Sequence, residues 1–194
     1  MIKGIALSVI LTIIIALFYI MDFYFMSRHD TARKKEGKGW SWDYTLFTMG
    51  MGAIVLLQPI LFPALGWSSD TALGTGIQIL GGLSVLLSFI LHIWSRRHLR
   101  HFYTERVEIQ PEHKVIDTGP YAYVRHPLIT SFLLLAGGIF LINPAATTLL
   151  IVIYGVWTFT GSAKEEEKVL SENVPGYAEY LRHTPRFLPR LWKN

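Results

Sequence analysis

The stretch "PLITSFLLLAGGIFLINPAATTLLIVIYGVWTFTGSA", residues 127–163, runs for 37 residues without a charged side chain. About 20 apolar residues are enough for a helix to cross the hydrocarbon core of a bilayer, so this stretch is too long for one span. Asn143-Pro144 lies near its middle and is a turn signal, because a residue before proline is biased away from the helical conformation. We therefore expect two transmembrane helices that form a tight hairpin.

Three other uncharged stretches are also long enough to span a membrane. They cover residues 4–21, 44–69 and 71–91. The chain is 51% hydrophobic and only 16% charged, which is too apolar for an ordinary soluble domain of 194 residues. The sequence predicts an all-α integral membrane protein with five transmembrane helices.

The basic residues are distributed unevenly along the chain. Of the 18 Lys and Arg residues, five lie in segment 27–42, six in 95–126 and six from Lys164 onward, and the linker 62–70 has none. With five spans, the three basic segments fall on one side of the membrane, which the positive-inside rule places in the cytoplasm. We therefore expect the N-terminus outside, and a lipid bilayer rather than nucleic acid as the partner of the +4 net charge.

These patterns divide a single membrane domain, residues 1–194, into four parts. We expect three scaffold spans in 1–94, a cytoplasmic connector in 95–127, the helical hairpin in 128–163, and a cytoplasmic acidic segment with a tail in 164–194. The first span has only Lys3 before it and no small-residue cleavage site after it, so we interpret it as a permanent helix rather than a removed signal.

Metal and thiol chemistry find little support in the sequence. The chain has no cysteine, which excludes disulfides, thiolate metal sites and thiol catalysis. The spacing of His92, His98 and His101 is similar to that of a metal-binding histidine box, but the other four histidines are scattered singly. Basic and aromatic residues at a headgroup interface explain "WSRRHLRHFY" better, so we expect no metal site.

Polar residues collect at the two ends of the long uncharged stretch. "GPYAYVRHPL", residues 119–128, precedes it, and "KEEEKVL", residues 164–170, follows it on the same predicted membrane face. Taken alone, His126-Pro127 is a helix start and the acidic run a solvated helix end. Carboxylates at a membrane edge are costly unless they bind something, so together these residues are a candidate site for an amine, a ribose or a sulfonium.

The order of these motifs resembles a known family. "HKVIDTGPYAYVRHPLITSFLLLAGG", the Asn143-Pro144 turn, "KEEEKVL" and "PGYAEYLRHTPRFLP" are similar to the isoprenylcysteine carboxyl methyltransferase family, whose wider relatives include phospholipid N-methyltransferases. The resemblance covers roughly residues 85–190, and its motifs are specific in combination. The length and composition suggest a short prokaryotic, archaeal member.

The resemblance implies a membrane enzyme that uses S-adenosyl-L-methionine, in a prokaryotic cell membrane with its active site on the cytoplasmic side. The cofactor would be held by the connector, the start of the fourth span and the acidic end of the fifth. The residues that match the family's cofactor segments are Gln110, His113, Lys114, Val115, Ile116, Tyr121, His126, Pro127, Leu128, Ile129, and Glu166 or Glu167.

The resemblance also implies a substrate, the C-terminal carboxylate of a prenylated cysteine or an analogous lipophilic carboxylate. Eukaryotic relatives place an arginine about one turn before the acidic pair, whereas here that stretch reads "TGSAKEEE", with Ser162 or Lys164 in the neighbourhood. Arg125, Lys164 and Arg186 are the candidates for neutralising the substrate carboxylate. No acid or base is assigned, because transfer from a sulfonium to a carboxylate needs mainly proximity and exclusion of water.

Two other substrate classes stay open, a phospholipid amine and a small thiol. An amine must lose its proton before it attacks, so that alternative predicts a general base and a rate that rises with pH. A related membrane reductase fold with NADPH is a weaker alternative. A non-enzymatic membrane scaffold or small-molecule binder is the alternative of another class.

Overall fold

A computed structural model describes residues 1–29, 42–67, 70–99 and 115–190. Gln110, His113, Lys114 and His101 therefore lie outside the described residues. Six α-helices are present in the described part: α1 (Gly4–His29), α2 (Trp42–Leu61), α3 (Ala72–Leu99), α4 (Pro127–Ile142), α5 (Ala146–Asn173) and α6 (Tyr177–His183). Short 3₁₀ turns cover Pro63–Leu65 and Gly119–Ala122.

The all-helical prediction is confirmed, and three helices are long and apolar enough to cross a membrane. They are Gly4–Phe25, Ala72–Leu99 and Ala146–Asn173, while Gly52–Leu61 and Pro127–Ile142 are shorter apolar helices. At 1.5 Å per residue, the 16 residues of α4 span about 24 Å, less than the roughly 30 Å of a typical hydrocarbon core. Helix α4 can therefore cross the hydrocarbon core only where the bilayer is thinner, or where neighbouring helices shield its ends from lipid.

Helices α1 and α3 are longer than the uncharged stretches from which they were predicted. Helix α1 continues through Asp22 to His29, and α3 continues through His92 and Arg96 to Leu99. Asp22, His92 and Arg96 are thus inside the helices, where Asp22 pairs with the other two. As a consequence α3 includes residues 95–99, at the start of the segment assigned to the connector.

The break between α4 and α5 lies at Asn143–Ala145. Pro144 has no backbone N–H to continue the helix, and the Asn143 side chain donates from Nδ2 to Gln58 Oε1 on α2 at 2.8 Å. The Thr148 hydroxyl donates to the Asn143 carbonyl at 2.7 Å. These bonds satisfy the polar groups that the break would otherwise leave unpaired in an apolar environment.

The N-terminus, the linker after α2 and the α4–α5 turn lie at one end of the helices. Lys3 Nζ contacts Asp70 Oδ2 at 2.6 Å, and the backbone N–H of Trp67 donates to the Pro144 carbonyl at 2.7 Å. Gln78 Nε2 donates to the carbonyls of both Ile2 and Ile142. Since each helix runs away from this end or towards it, the end of α3 and residues 115–126, which precede α4, belong to the opposite end.

Helices α3 and α4 are in close backbone contact. A Cβ atom at Gly81 would lie 2.7 Å from the Gly138 carbonyl oxygen, and one at Gly138 would lie 2.9 Å from the Gly81 carbonyl oxygen. Small residues permit this kind of contact between membrane helices. Ser84 and Ser88 on α3 add hydrogen bonds of 2.8 Å to the Leu134 and Ser131 carbonyls of α4, so α3 fixes the position of α4.

Candidate functional site

The C-terminal segment after α6 lies against the start of α4. The backbone N–H groups of Arg125 and His126 donate to the carbonyls of Pro185 and Arg186 at 2.8 and 3.1 Å. The Thr130 hydroxyl donates to the Phe187 carbonyl at 2.9 Å. These bonds hold the "VRHP" segment between the C-terminal segment and α5.

Glu167 on α5 is at the centre of a charged cluster at this end of the helices. Its side chain is buried, and Oε1 accepts hydrogen bonds from Arg125 Nε at 2.9 Å, His126 Nε2 at 3.0 Å and Arg186 Nε at 3.0 Å. Oε2 accepts from Arg186 Nη2 at 2.5 Å. We call Arg125, His126, Glu166, Glu167 and Arg186 the Glu167 cluster. Its bonds are charge-assisted, the stronger kind of protein hydrogen bond.

The imidazole of His126 lies between two carboxylates. Nε2 is 3.0 Å from Glu167 Oε1 and Nδ1 is 3.4 Å from Glu166 Oε2. Burial by itself lowers the pKa of His126, but the hydrogen bonds to Glu166 and Glu167 outweigh it and raise that pKa above its ordinary value. Only the imidazolium carries a proton on both nitrogens, so this arrangement favours the charged ring.

The three candidates for neutralising a substrate carboxylate have different surroundings. Arg125 also donates from Nη1 to the carbonyls of Leu181 and Thr184 at 2.7 and 2.8 Å, which makes it a clamp for the C-terminal segment. The Arg186 side chain is 29% exposed, and its hydrogen bonds to Glu167 raise its pKa. Lys164 is exposed on α5. The structure thus brings Arg125 and Arg186 together on Glu167 and leaves Lys164 outside the cluster.

The two carboxylates that the sequence could not separate also differ. Glu167 is 7% exposed and has three cationic partners. The Glu166 side chain is 42% exposed and contacts His126. Glu167 is therefore engaged with its neighbours, whereas Glu166 is accessible from outside the cluster.

The other predicted cofactor residues within the described part lie in segment 115–121 and in the first turn of α4. Val115 and Ile116 are half-buried, and Val115 packs against Leu170, Val174 and Tyr177. Tyr121 is buried, and its carbonyl accepts a hydrogen bond of 2.6 Å from the Tyr180 hydroxyl. Burial raises the pKa of Tyr180, so its phenol stays protonated and able to donate. Pro127, Leu128 and Ile129 form the first turn of α4.

Gly119 begins the turn that leads into the cluster. Its φ of +58° lies in the left-handed region, which glycine adopts without steric cost. A Cβ atom there would lie 2.3 Å from the ring of His98, near the end of α3. The glycine thus lets the 3₁₀ turn pack directly on α3.

A second charged cluster, which the sequence analysis did not find, lies between α1, α3 and α4. Asp22 on α1 pairs with Arg96 and with His92 Nε2, the latter at 3.0 Å, and His92 Nδ1 is 3.1 Å from Ser131 Oγ on α4. We call Asp22, His92, Arg96 and Ser131 the Asp22 cluster. A lone aspartate in an apolar helix and a His-Arg pair four residues apart were the available signals. Among the described residues, no group of three His, Cys, Asp or Glu could hold a metal ion.

Comparison with known proteins agrees with the motif order. The model of the isoprenylcysteine carboxyl methyltransferase family matches residues 80–172, from α3 through α4 to the end of α5. This region contains Arg125, His126, Glu166 and Glu167. Over these residues, just under half of its length, the chain is similar to the isoprenylcysteine carboxyl methyltransferase family.

Three characterised relatives are similar over different lengths. The nickel-cobalt-cadmium resistance protein NccN of Alcaligenes xylosoxydans xylosoxydans is 24% identical over 63% of this chain and 54% of its own length. The cobalt-zinc-cadmium resistance protein CzcN of Cupriavidus metallidurans is 28% identical over 70% of this chain and 59% of its own length. The chain therefore spans between half and three-fifths of these two relatives.

The protein-S-isoprenylcysteine O-methyltransferase of Saccharomyces cerevisiae is 26% identical over 88% of this chain and 73% of its own length. A solved structure of the eukaryotic intramembrane Ras methyltransferase, an isoprenylcysteine carboxyl methyltransferase, matches with a TM-score of 0.64 and 20% identity. The match covers 91% of this chain and 63% of that one. The chain thus shares the fold of a membrane methyltransferase, and its archaeal origin stays a prediction.

Proposed function

We propose that this chain is an S-adenosylmethionine-dependent membrane methyltransferase that methylates the C-terminal carboxylate of a prenylated cysteine or an analogous lipophilic carboxylate. The observation that carries the proposal is the Glu167 cluster. It gathers cations and carboxylates at one end of apolar helices, within and beside the region that the family model matches. The name of the yeast relative supports the substrate class.

The residues of the Glu167 cluster suit the amino-acid end of S-adenosylmethionine, which carries an ammonium and a carboxylate. Glu166 and Arg186 present one charge of each sign on partly exposed side chains. We therefore assign the cofactor ammonium to Glu166 and the cofactor carboxylate to the side of Arg186, with Glu167 holding Arg186 and His126 in place. The cofactor, when bound, supplies a methyl group on a sulfonium.

For the adenosine end, Val115, Ile116 and Tyr121 supply half-buried and buried apolar surface beside α5 and α6. We assign three further residues to the adenosine end, which lie outside the described residues: Gln110, His113 and Lys114. Pro127 is buried and Leu128 and Ile129 are half-buried, so the first turn of α4 would exclude water from the reacting atoms. Exclusion of water favours a reaction in which opposite charges neutralise each other.

The cluster also bears on how a substrate carboxylate would be held. Both Arg125 and Arg186 already pair with Glu167, so either would attract a second carboxylate less strongly than an unpaired guanidinium. A weakly held carboxylate keeps its nucleophilicity, which a strong salt bridge would suppress. Arg186 is the better candidate because its side chain is more exposed than that of Arg125, at 29% against 12%.

For the membrane topology we propose five spans, with α4 and α5 as the hairpin, the N-terminus outside and the Glu167 cluster on the cytoplasmic side of a prokaryotic cell membrane. The contacts of Lys3 with Asp70 and of Trp67 with Pro144 support one shared end for the N-terminus, linker and turn. That end carries few basic residues, as the outside should. Accessibility tags at residues 1, 67 and 194 test it, and termini on the same side would overturn it.

The reaction is tested by incubating the purified protein, in lipid nanodiscs, with labelled S-adenosylmethionine and a panel of acceptors. We expect label in a prenyl-cysteine carboxylate and none in the same compound with its carboxylate amidated. The rate should change little between about pH 6 and 8, because a carboxylate is already ionised there. Turnover of a lipid amine or a small thiol without any prenyl-cysteine would instead establish one of the other substrate classes.

A further inference from the structure

The Asp22 cluster is buried among apolar side chains. His92, Ser131 and Ser88 are fully buried and Arg96 is 4% exposed. The rings of Phe18 and Phe132 contact the imidazole of His92 edge-on, with centroids 4.9 and 5.4 Å away. Removing charged and polar groups from water is costly, and well-packed apolar residues would often stabilise a fold equally well. The contacts of the cluster therefore suggest a geometric role.

The cluster reaches α4 through one hydroxyl. Ser131 Oγ is 3.1 Å from His92 Nδ1 and donates to the Leu128 carbonyl at 2.6 Å. Ser88 Oγ donates to the Ser131 carbonyl at 2.8 Å, from the same side of α3. A continuous set of contacts thus leads from Asp22 through His92 and Ser131 to the first turn of α4.

The first turn of α4 depends on such lateral contacts. His126 occupies the N-cap position and makes no capping hydrogen bond with its side chain. On one side Thr130 contacts the Phe187 carbonyl of the C-terminal segment, and on the other Ser131 contacts His92. The two hydroxyls, adjacent in sequence, hold the turn between the Glu167 cluster and the Asp22 cluster.

We propose that His92 is a positioning residue for the first turn of α4, acting through Ser131 on Leu128 and its neighbours. This inference rests on the proposed function only where it concerns the cofactor, since Leu128 and Ile129 are the residues assigned to the cofactor segment. Asp22 and Arg96 fix the far side of the imidazole, so that Nδ1 faces Ser131. Cofactor affinity therefore depends on a cluster that does not touch the cofactor.

The two nitrogens of His92 can be replaced one at a time. In His92→Asn the side-chain amide takes the place of Nδ1 and can still reach Ser131, whereas in His92→Gln it takes the place of Nε2 and can reach Asp22. His92→Phe keeps an aromatic ring and loses both contacts. Ser131→Ala removes only the hydroxyl that His92 contacts. It tests the same contact if His92→Phe does not fold.

Ser84→Ala is the matched control. Its hydroxyl also joins α3 to α4, at 2.8 Å from the Leu134 carbonyl, but farther from the first turn. The first measurement is hydrogen–deuterium exchange at residues 128–132 in nanodiscs, which needs no cofactor. The second is the dissociation constant of S-adenosylmethionine by calorimetry, with the methylation kcat at saturating cofactor.

We expect His92→Phe, His92→Gln and Ser131→Ala to accelerate exchange at residues 128–132 and to weaken cofactor binding by about tenfold, as the loss of a buried hydrogen bond would. The kcat at saturating cofactor should change much less. His92→Asn should restore both properties towards those of the unchanged protein, and Ser84→Ala should alter neither.

Two outcomes would overturn the proposal. One is rescue by His92→Gln but not by His92→Asn, which would make the cluster a link between α1 and α3 only. The other is equal exchange in Ser131→Ala and Ser84→Ala. If the exchange pattern is as expected but the unchanged protein binds no S-adenosylmethionine, positioning by His92 stands and the proposed cofactor fails. If cofactor binding is intact in every variant and exchange is unaltered, the proposed function stands and positioning by His92 fails.

Discussion

The Glu167 cluster and the Asp22 cluster solve the same physical problem in different surroundings. Each places a carboxylate against an arginine and a histidine at the edge of apolar helices, on opposite sides of the start of α4. Glu167 has three cationic partners, all of them from segments outside the helices, whereas the partners of Asp22 both lie on α3. The Glu167 cluster joins α5 to two non-helical segments, the one before α4 and the one after α6. The Asp22 cluster joins three helices, α1, α3 and α4.

This difference predicts which carboxylate matters more for stability. Glu167→Ala leaves two arginines and a charged histidine without their shared partner, so we expect a loss of about 3–5 kcal/mol in the free energy of unfolding. Asp22→Asn keeps a hydrogen-bonding group beside His92, and we expect a loss of about 1–3 kcal/mol. Titration with a denaturing detergent measures both. A larger loss for Asp22→Asn would reverse the assignment of the main tertiary link.

The close contact of α3 and α4 provides a way to disturb the packing of the helices that carry the Asp22 cluster, through a position that lies in neither charged cluster. In Gly81→Ala the new methyl group would meet the Gly138 carbonyl at 2.7 Å, so the two helices must separate. We expect a loss of about 1–3 kcal/mol, typical of overpacking, measured by the same titration.

Gly82→Ala is the control for that variant, because a Cβ atom at Gly82 meets nothing within 4 Å. There we expect no loss, or a gain of up to about 1 kcal/mol from the higher helix propensity of alanine. Equal losses in the two variants would show that the effect arises from glycine flexibility and not from helix contact.

The sequence was informative about the Glu167 cluster because its residues occur in short contiguous motifs. Arg125 and His126 are adjacent, and Glu166 and Glu167 belong to one acidic run at the end of an apolar stretch. The hydrogen bonds of Arg186 to Glu167 could not be predicted, because they depend on a C-terminal segment that folds back onto α4 without any periodic pattern.

The Asp22 cluster was missed for a related reason. Asp22 and Arg96 are 74 residues apart, and Asp22 was interpreted as the end of an uncharged stretch and Arg96 as part of the connector. A hydropathy scale counts every charged residue as unfavourable in a transmembrane helix. Two opposite charges on neighbouring helices can pair, which lowers the free-energy cost of burying each one. The uncharged stretches end at Met21 and Leu91, earlier than the helices, which end at His29 and Leu99. The uncharged stretches correctly indicated helices, but pairing between them depends on tertiary contacts.

Glu166 and Glu167 form a matched pair that separates binding from stability. Glu166→Gln removes the accessible charge of the Glu167 cluster and leaves the contacts of Glu167 intact. We expect S-adenosylmethionine affinity to fall by about tenfold, equivalent to about 1.4 kcal/mol, with little change in the free energy of unfolding. Calorimetry and detergent titration on the same preparation measure both quantities. Unchanged affinity in Glu166→Gln would remove the assignment of the cofactor ammonium to Glu166.

The smallest expected effect is a pH dependence that belongs to the Glu167 cluster. Because the carboxylates of Glu166 and Glu167 raise the pKa of His126 in the folded protein, its charged form stabilises the fold. That contribution is fully present below the unfolded pKa of about 6.5 and is lost as the pH rises through the folded pKa. The protein should therefore lose stability as the pH rises above about 6.5, and His126→Asn should lose less over the same range. Melting curves of the two proteins in nanodiscs between pH 6 and 9 measure the difference. Parallel pH profiles would mean that His126 is uncharged between its two carboxylates, and the charge balance of the Glu167 cluster would then rest on its arginines alone.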